Sequence, residues 1–172
     1  MTPGASQSQQ EWWKGLTTPQ IYLERDLGDG LGSHDWKYFV FRGRVAIVQL
    51  DQDRHSDHRQ SVFDRDMTFL NEPLYFTMGG GHPKPKNYAS MLKVAEGIGA
   101  QFEFMRVDLY NVGGAIYLGE LSVVPNAAFL PIQSERLDHM LGWIWEQRGF
   151  LGVPNSQDQS AVLNSLGALG AI

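Results

Sequence analysis

The feature that most constrains this chain is the stretch MRVDLYNVGGAIYLGELSVVP, residues 105–125. Two runs rich in β-branched and aromatic residues flank a turn that contains asparagine and glycine, a pattern that predicts a β-hairpin. Each run carries one acidic residue, Asp108 in the first and Glu120 in the second. Burying a carboxylate is costly unless something compensates its charge. We therefore expect an arginine, water or a metal ion to compensate the charge of the two acids.

The relative position of the two acids depends on the length of the turn. Side chains alternate between the faces of a strand, so Arg106 and Asp108 share a face. A three-residue loop places Glu120 on that face too, within roughly 5–8 Å of Asp108 at Cβ. A two- or four-residue loop places the acids on opposite faces.

A shared face favours Mg²⁺, which accepts one or two carboxylates and takes its other oxygens from phosphates and water. Arg106 is then suited to a forked contact with a phosphate. The alternative interpretation is that Arg106 simply pairs with Asp108 or Glu120 on a solvated face.

A second hairpin is predicted upstream. DWKYFVF (35–41) and RVAIVQLD (44–51) are aromatic or β-branched runs joined at Arg42-Gly43. Asp35 and Lys37 are two residues apart, so their side chains project from the same face. At this spacing the lysine could bind phosphates and the aspartate could accept hydrogen bonds from ribose hydroxyls. The alternative is an exposed ion pair at a sheet edge.

The segment that follows is dense in charge and histidine. Arg54 and Arg59 are favoured as anion ligands. Two histidines, His55 and His58, are too few to indicate a metal site. The loop GGGHP (79–83) lacks the lysine and hydroxyl residue of a P-loop, so a Walker-type phosphate cradle is not expected.

Two amphipathic helices are predicted, over 87–100 with Asn87 as N-cap and over 133–149 with Ser134 as N-cap and Gly149 as stop. The second has an apolar stripe made of Leu137, Met140, Leu141, Ile144 and Trp145. Strands with two later helices predict an α+β fold, an antiparallel β-sheet with flanking helices.

Composition excludes several classes of protein. The 172 residues fit one domain, and a formal charge of −5 argues against a nucleic-acid binder that neutralises phosphates. The absence of cysteine excludes disulfides and cysteine zinc sites, which is compatible with a reducing compartment. The N-terminus lacks the features of a signal peptide, and no apolar run approaches the length of a membrane span. We therefore expect a cytoplasmic protein.

Taken in order, these segments resemble the C-terminal half of an ATP-grasp domain. The pattern is most similar to the TupA-like ATP-grasp family of teichuronopeptide and cell-surface polysaccharide biosynthesis. The resemblance covers about residues 20–147 and rests on IYLERDL, DWKYFVF, and the paired segments FMRVDLY and GAIYLGELSVVP.

The resemblance implies ATP and Mg²⁺ as cofactors and a role for each matching position. The implied catalytic residues are Arg106 and Lys37. The implied nucleotide contacts are Glu24, Arg25 and Leu27 at the adenine, Asp35 at the ribose, Lys37 at the phosphates, and Arg54 and Arg59 on the phosphate or acceptor side. The implied Mg²⁺ ligands are Asp108, Glu120 and Ser122. Ser122 stands where the wider superfamily often has an asparagine.

The implied activity is that of an ATP-dependent carboxylate–amine ligase, acting on carboxylate and amine substrates of a surface polymer. The expected organisation is a flexible lead-in over 1–19, a partial ATP-grasp domain over 20–150 and a flexible tail over 151–172. Since nothing before Ile21 resembles the other lobe of the cleft, a partner chain or a dimer is expected to complete it. The alternatives are an inactive half-domain that binds a partner or a nucleotide, and an unrelated α+β binding domain.

Overall fold

The computed structural model describes residues 34–53 and 57–146. The elements in chain order are β1 (Asp35–Phe41), β2 (Arg44–Gln52), β3 (Arg59–Asp64), α1 (Tyr88–Gly99), β4 (Phe104–Val112), β5 (Ala115–Ser122) and α2 (Glu135–Glu146). The α+β class is confirmed. The segment IYLERDL (21–27) and the predicted helix stop at Gly149 lie outside the described residues.

The five strands form one antiparallel sheet in the order β3-β2-β1-β4-β5. Both predicted hairpins are present, and each turns through two residues. Arg42 and Gly43 have φ of 46° and 82°, and Gly113 and Gly114 have φ of 59° and 88°. Positive φ at both central residues is the type I′ geometry, which matches the twist of the flanking strands. β1 is the central strand of the sheet, between β2 and β4, and it is buried along its whole length.

One face of the sheet packs against α1. The buried side chains of the helix are Tyr88, Met91, Leu92, Ala95 and Gly99. They join a core with Tyr38 and Val40 of β1 and Val107 of β4. Asn87 precedes the helix as predicted, but its side chain makes no capping hydrogen bond. It donates to Asn111 Oδ1 and to the carbonyl of Gly114, so it ties the start of the helix to the β4–β5 turn.

The opposite face is divided between α2 and a charged cluster. Leu137, Met140, Leu141 and Ile144 of α2 pack in a second core with Phe39, Phe41 and Phe104. Ser134 caps the helix as predicted, since its hydroxyl accepts a hydrogen bond from the amide of Leu137 at 3.1 Å. Trp145 departs from the predicted buried stripe. It is 52% exposed, and its ring lies beside the rings of Phe41 and Phe104.

β3 is a strand that the sequence analysis did not predict. Gln60 to Asp64 of this strand are buried, although the segment around it is rich in charge. Isolated bridges from Gln60 to Met78 and from Phe63 to Phe69 hold the following loop against this strand. The loop buries Leu74 in the α2 core, which explains why an edge strand carries buried side chains.

Candidate functional site

A cluster of charged side chains occupies the centre of the α2 face of the sheet. The strand register pairs Lys37 of β1 with Asp108 of β4, and Asp108 with Glu120 of β5. Directly paired residues of antiparallel strands point to the same face. The two-residue alternation adds Asp35 to Lys37 and Arg106 to Asp108. The sheet therefore brings together side chains that are far apart in sequence.

The pairing of Asp108 with Glu120 depends on a β-bulge. The connecting turn has two residues rather than three, and a regular ladder from such a turn places the two acids on opposite faces, as the sequence analysis expected. The register instead shifts between Asp108 and Leu109, so that Gly119 is left without a partner. A Cβ at Gly119 would lie 2.7 Å from the Tyr110 ring, which explains why glycine suits the bulge. The shared face is thus achieved by an extra residue in β5 and not by a three-residue loop.

Lys37 lies between two carboxylates. Its ammonium donates to Asp35 Oδ2 and to Asp108 Oδ2, both at 2.6 Å. The lysine is only 6% exposed. Burial alone lowers the pKa of an ammonium, but the charges of Asp35 and Asp108 outweigh it and leave the pKa of Lys37 raised. Lys37 is therefore a fixed cation.

Arg106 lies between Asp108 and Glu120. Its Nε donates to Asp108 Oδ1 at 2.8 Å, and its Nη2 donates to Asp108 Oδ2 at 2.9 Å and to Glu120 Oε2 at 3.2 Å. Burial lowers the pKa of the guanidinium, but the bonds and charge of Asp108 prevail and the pKa is raised. The interpretation in which Arg106 pairs with the acids therefore describes these contacts, although Asp108 is buried rather than solvated.

The cluster continues onto β2, which sequence reasoning did not assign to the site. Gln49 donates to Asp51 Oδ1 at 2.8 Å, and His58 Nε2 lies 3.6 Å from the same oxygen. The register pairs Asp51 with Asp35. Burial raises the pKa of Asp35, and the neighbouring Asp108 and Asp51 raise it further against the opposing effect of Lys37. Gln49 and Asp51 are two apart in a β-branched run, and this alternation is the sequence signal that could have placed them on one face of the sheet.

The cluster has more negative than positive charge. Four carboxylates, those of Asp35, Asp51, Asp108 and Glu120, face the two fixed cations of Lys37 and Arg106. Buried charge of one sign is unfavourable unless a counter-charge is supplied. The arrangement is chemically suited to an added cation.

Asp108 and Glu120 provide the oxygen donors that Mg²⁺ prefers. Asp108 Oδ2 accepts hydrogen bonds from both Lys37 and Arg106, whereas Oδ1 accepts one, from Arg106 Nε, and keeps a second lone pair for a metal ion. The Glu120 side chain is 60% exposed, so it is free to reorient. Ser122 pairs with Arg106 in the register and shares this face. The donor set therefore fits the ion, although residues 34–53 and 57–146 contain no group of three or more His, Asp or Glu in metal-binding geometry.

The remaining predicted site residues are not in the cluster. Glu24, Arg25, Leu27 and Arg54 lie outside the described residues. Arg59 begins β3, where its Nε donates to Asp57 Oδ2 at 2.8 Å. Its neighbour Gln60 pairs with Asp51, so Arg59 is on the opposite face of the sheet from the cluster. The structure thus gathers six predicted residues, which are Asp35, Lys37, Arg106, Asp108, Glu120 and Ser122.

The chain matches the family model described as TupA-like ATPgrasp over residues 7–145. The match begins within the segment that the sequence analysis set apart as a lead-in. Neither the curated proteins nor the solved structures give a significant match. The antiparallel sheet with its two helices is consistent with part of an ATP-grasp fold. Within the described part of the chain, no helix is long and apolar enough to cross a membrane.

Proposed function

The chain belongs to the TupA-like ATP-grasp family, and we propose that its charged cluster binds the phosphates of Mg²⁺-ATP for a carboxylate–amine ligase. Family membership supports an ATP-dependent ligase module in general. The observation that carries the proposal for these residues is the position of Asp108 between Lys37 and Arg106. Two buried cations and two facing carboxylates on three adjacent strands form a compact site for a metal–phosphate group.

Lys37 and Arg106 are the proposed catalytic residues. Phosphoryl transfer depends on positioning and on neutralising the charge of the phosphate oxygens, more than on covalent chemistry by the protein. Both cations are held by hydrogen bonds to carboxylates, so they need little reorganisation when a phosphate enters. Bound through Asp108, Glu120 and Ser122, Mg²⁺ would neutralise charge on both the carboxylates and the phosphates. Asp35 is the proposed ribose contact.

The proposed reaction follows the chemistry of the family. A substrate carboxylate oxygen bonds to the γ-phosphorus of ATP as the bond to ADP breaks, which gives an acyl phosphate. An amine then attacks the acyl carbon, loses a proton and displaces phosphate, which leaves an amide. We place this reaction in the cytoplasm and in the synthesis of teichuronopeptide or another surface polymer. Glu24, Arg25 and Leu27 are the proposed adenine contacts, and Arg54 and Arg59 stay candidates for the acceptor side.

Thermal unfolding with Mg²⁺-ATP tests the binding step. Specific binding to the folded chain raises the Tm, because saturation at a hundred times Kd stabilises by about 2.7 kcal/mol. Glu120→Gln is the informative variant, since Glu120 is exposed and its neutralisation leaves the fold intact. We expect this variant to lose most of the shift, and the matched surface variant Glu103→Gln to keep it. No shift of the wild-type protein at millimolar Mg²⁺-ATP would contradict the proposal.

A second candidate function is an inactive module that binds a partner or a nucleotide. The guanidinium of Arg106 already bridges Asp108 and Glu120, which is the position of a counter-ion. The edge strand β5 and the residues after it also expose apolar side chains, which are Leu118, Leu121, Val123 and Val124. A partner chain or a second copy that covers this edge is the proposed partner. Mg²⁺-ATP binding without ADP release in the presence of amine and carboxylate pools would favour this candidate.

A further inference from the structure

The part of the charged cluster on β2 contains a buried acceptor that no described residue satisfies. Gln49 is 3% exposed, and its Oε1 has no hydrogen-bond partner within residues 34–53 and 57–146. We propose that Gln49 and Asp51 bind the amine substrate through its ammonium group, and that this substrate is a primary amine. The inference rests on the proposed function, because it names the second substrate of the ligase and the residues that receive it.

The neighbouring carboxylate fixes the orientation of the Gln49 amide. Gln49 Nε2 donates to Asp51 Oδ1 at 2.8 Å. An ionised carboxylate only accepts hydrogen bonds, so the amide cannot exchange its nitrogen and oxygen without losing this bond. Oε1 therefore stays a carbonyl acceptor beside Asp51. A buried acceptor without a donor is unfavourable, because it has given up its bond to water. A ligand that supplies N–H groups satisfies it.

Negative charge is concentrated around this acceptor. Asp35 is paired with Asp51 across β1 and β2, and directly paired side chains lie about 4.5–5.5 Å apart at Cβ. Burial raises the pKa of Asp35, and the charges of Asp108 and Asp51 add to the rise against the effect of Lys37. The Lys37 ammonium is directed to Asp35 and Asp108, each at 2.6 Å. A donor that also carries a positive charge therefore suits this part of the cluster better than a neutral hydroxyl.

The location of Gln49 and Asp51 suits the second step of the proposed reaction. Gln49 is paired directly with Lys37, the proposed phosphate-binding lysine. Adjacent strands lie about 4.8 Å apart. An ammonium group held by Gln49 and Asp51 is therefore one strand away from the phosphate-binding cation, on the same face of the sheet.

His58 and Phe76 form the solvent side of this pair. His58 Nε2 lies 3.6 Å from Asp51 Oδ1, and the ring packs on Phe76 with the two centroids 4.8 Å apart. The His58 side chain is 26% exposed and Phe76 is 41% exposed. Solvent thus comes within one side chain of Asp51 here. The alkyl part of the amine lies along these two rings.

The acceptors specify the ligand class. A primary ammonium has three N–H donors, so it can donate to Gln49 Oε1 and to Asp51 at once while its substituent points away. A quaternary ammonium has the charge but no N–H donor. An inorganic cation needs more ligands than this pair supplies, and the described residues hold no group of three or more His, Asp or Glu in metal-binding geometry.

Proton–nitrogen correlation NMR on the full chain, without nucleotide, tests the site with three probes. These are the chlorides of ethylammonium, tetramethylammonium and potassium at one ionic strength. The side-chain amide signal of Gln49, assigned through its own backbone amide, reports binding directly. We expect ethylammonium to shift this signal in a saturable way. Tetramethylammonium and potassium should leave it in place, because neither has an N–H donor.

Gln49→Met keeps the length of the side chain and removes the acceptor. Since losing a hydrogen bond to a charged group corresponds to roughly a factor of ten or more in affinity, ethylammonium should bind at least about ten-fold more weakly to this variant. The backbone signals of β2 measure that affinity. Gln52→Met is the matched variant in the same strand, on the opposite face of the sheet, and it should bind as the wild type does.

Three results would overturn the inference. These are equal shifts with all three cations, no saturable shift with ethylammonium, and unchanged affinity in Gln49→Met. The first two need only the wild-type protein. Ethylammonium binding without any Mg²⁺-ATP shift in Tm would contradict the proposed function and leave the ammonium site standing. A Mg²⁺-ATP shift without ethylammonium binding would remove the ammonium site and leave the proposed function standing.

Discussion

Lys37 Nζ lies 2.6 Å from Asp108 Oδ2, across the boundary between the central strand β1 and its neighbour β4. Both side chains are almost fully buried, and Arg106 contacts the same carboxylate through two nitrogens. Asp108 is thus the shared acceptor of two fixed cations. Removal of its charge leaves both cations undercompensated within the sheet.

Asp108→Asn should lower the free energy of unfolding by roughly 3 kcal/mol, because breaking a buried ion pair leaves an uncompensated charge. Lys37 and Arg106 keep Asp35 and Glu120 as partners, which holds the loss at the lower end of the usual range. Urea unfolding monitored by circular dichroism measures it. Asp57→Asn is the control, since that exposed aspartate pairs with Arg59 at the surface and its loss should cost about 0.5 kcal/mol or less. Equal effects of the two variants would contradict the central role of Asp108.

The effect of Asp35→Asn on the free energy of unfolding should depend on pH. Burial raises the pKa of Asp35 above its usual 3.8, so the folded protein loses stability from this group as pH rises through the raised pKa. The asparagine variant has no such loss. The free energy of unfolding of Asp35→Asn minus that of wild type should therefore increase from pH 4 to pH 7. Urea unfolding at several pH values measures the difference, and a flat or falling difference would show that the Asp35 charge is well compensated.

The two hairpins and the charged pairs were predictable because alternation requires only local sequence. Asp35 and Lys37 share a face in any strand, and so do Arg106 and Asp108. The register between β1 and β4 could not be predicted in this way, because the two strands are far apart in sequence and no local pattern encodes their contacts.

Two features show why the rest was not predictable. The bulge at Gly119 has a glycine as its only local signal, and glycine is also common in ordinary turns. β3 was missed because its burial comes from the loop that folds back over it, with Leu74 in the α2 core. Gln49 was missed for a related reason, since an amide becomes part of a site only when the neighbouring strand places a charged residue beside it, here Lys37.

Tyr38→Phe should stabilise the protein by about 1 kcal/mol. The Tyr38 hydroxyl is fully buried and has no hydrogen-bond partner among the described residues, so it carries an unrecovered desolvation cost. Tyr88→Phe is the matched variant in the same core. Its hydroxyl donates to the carbonyl of Arg65 at 2.8 Å, and its removal should cost about 1 kcal/mol. Denaturant unfolding of both variants gives the two signs, and the same sign for both would rule out this explanation.

Gly99→Ala should destabilise the protein by about 1–3 kcal/mol, the usual cost of overpacking a core. Gly99 ends α1 against β1, and a Cβ there would lie 2.6 Å from Val40 Cβ. The helix must move away from the sheet or Val40 must shift, and Val40 is fully buried. Gly97→Ala is the control in the same helix, where a Cβ meets nothing within 4 Å. That variant should gain about 0.5–1 kcal/mol from helix propensity alone. Thermal and urea unfolding of the pair separate packing from propensity, and stabilisation by both substitutions would show that α1 does not pack as closely on Val40 as described.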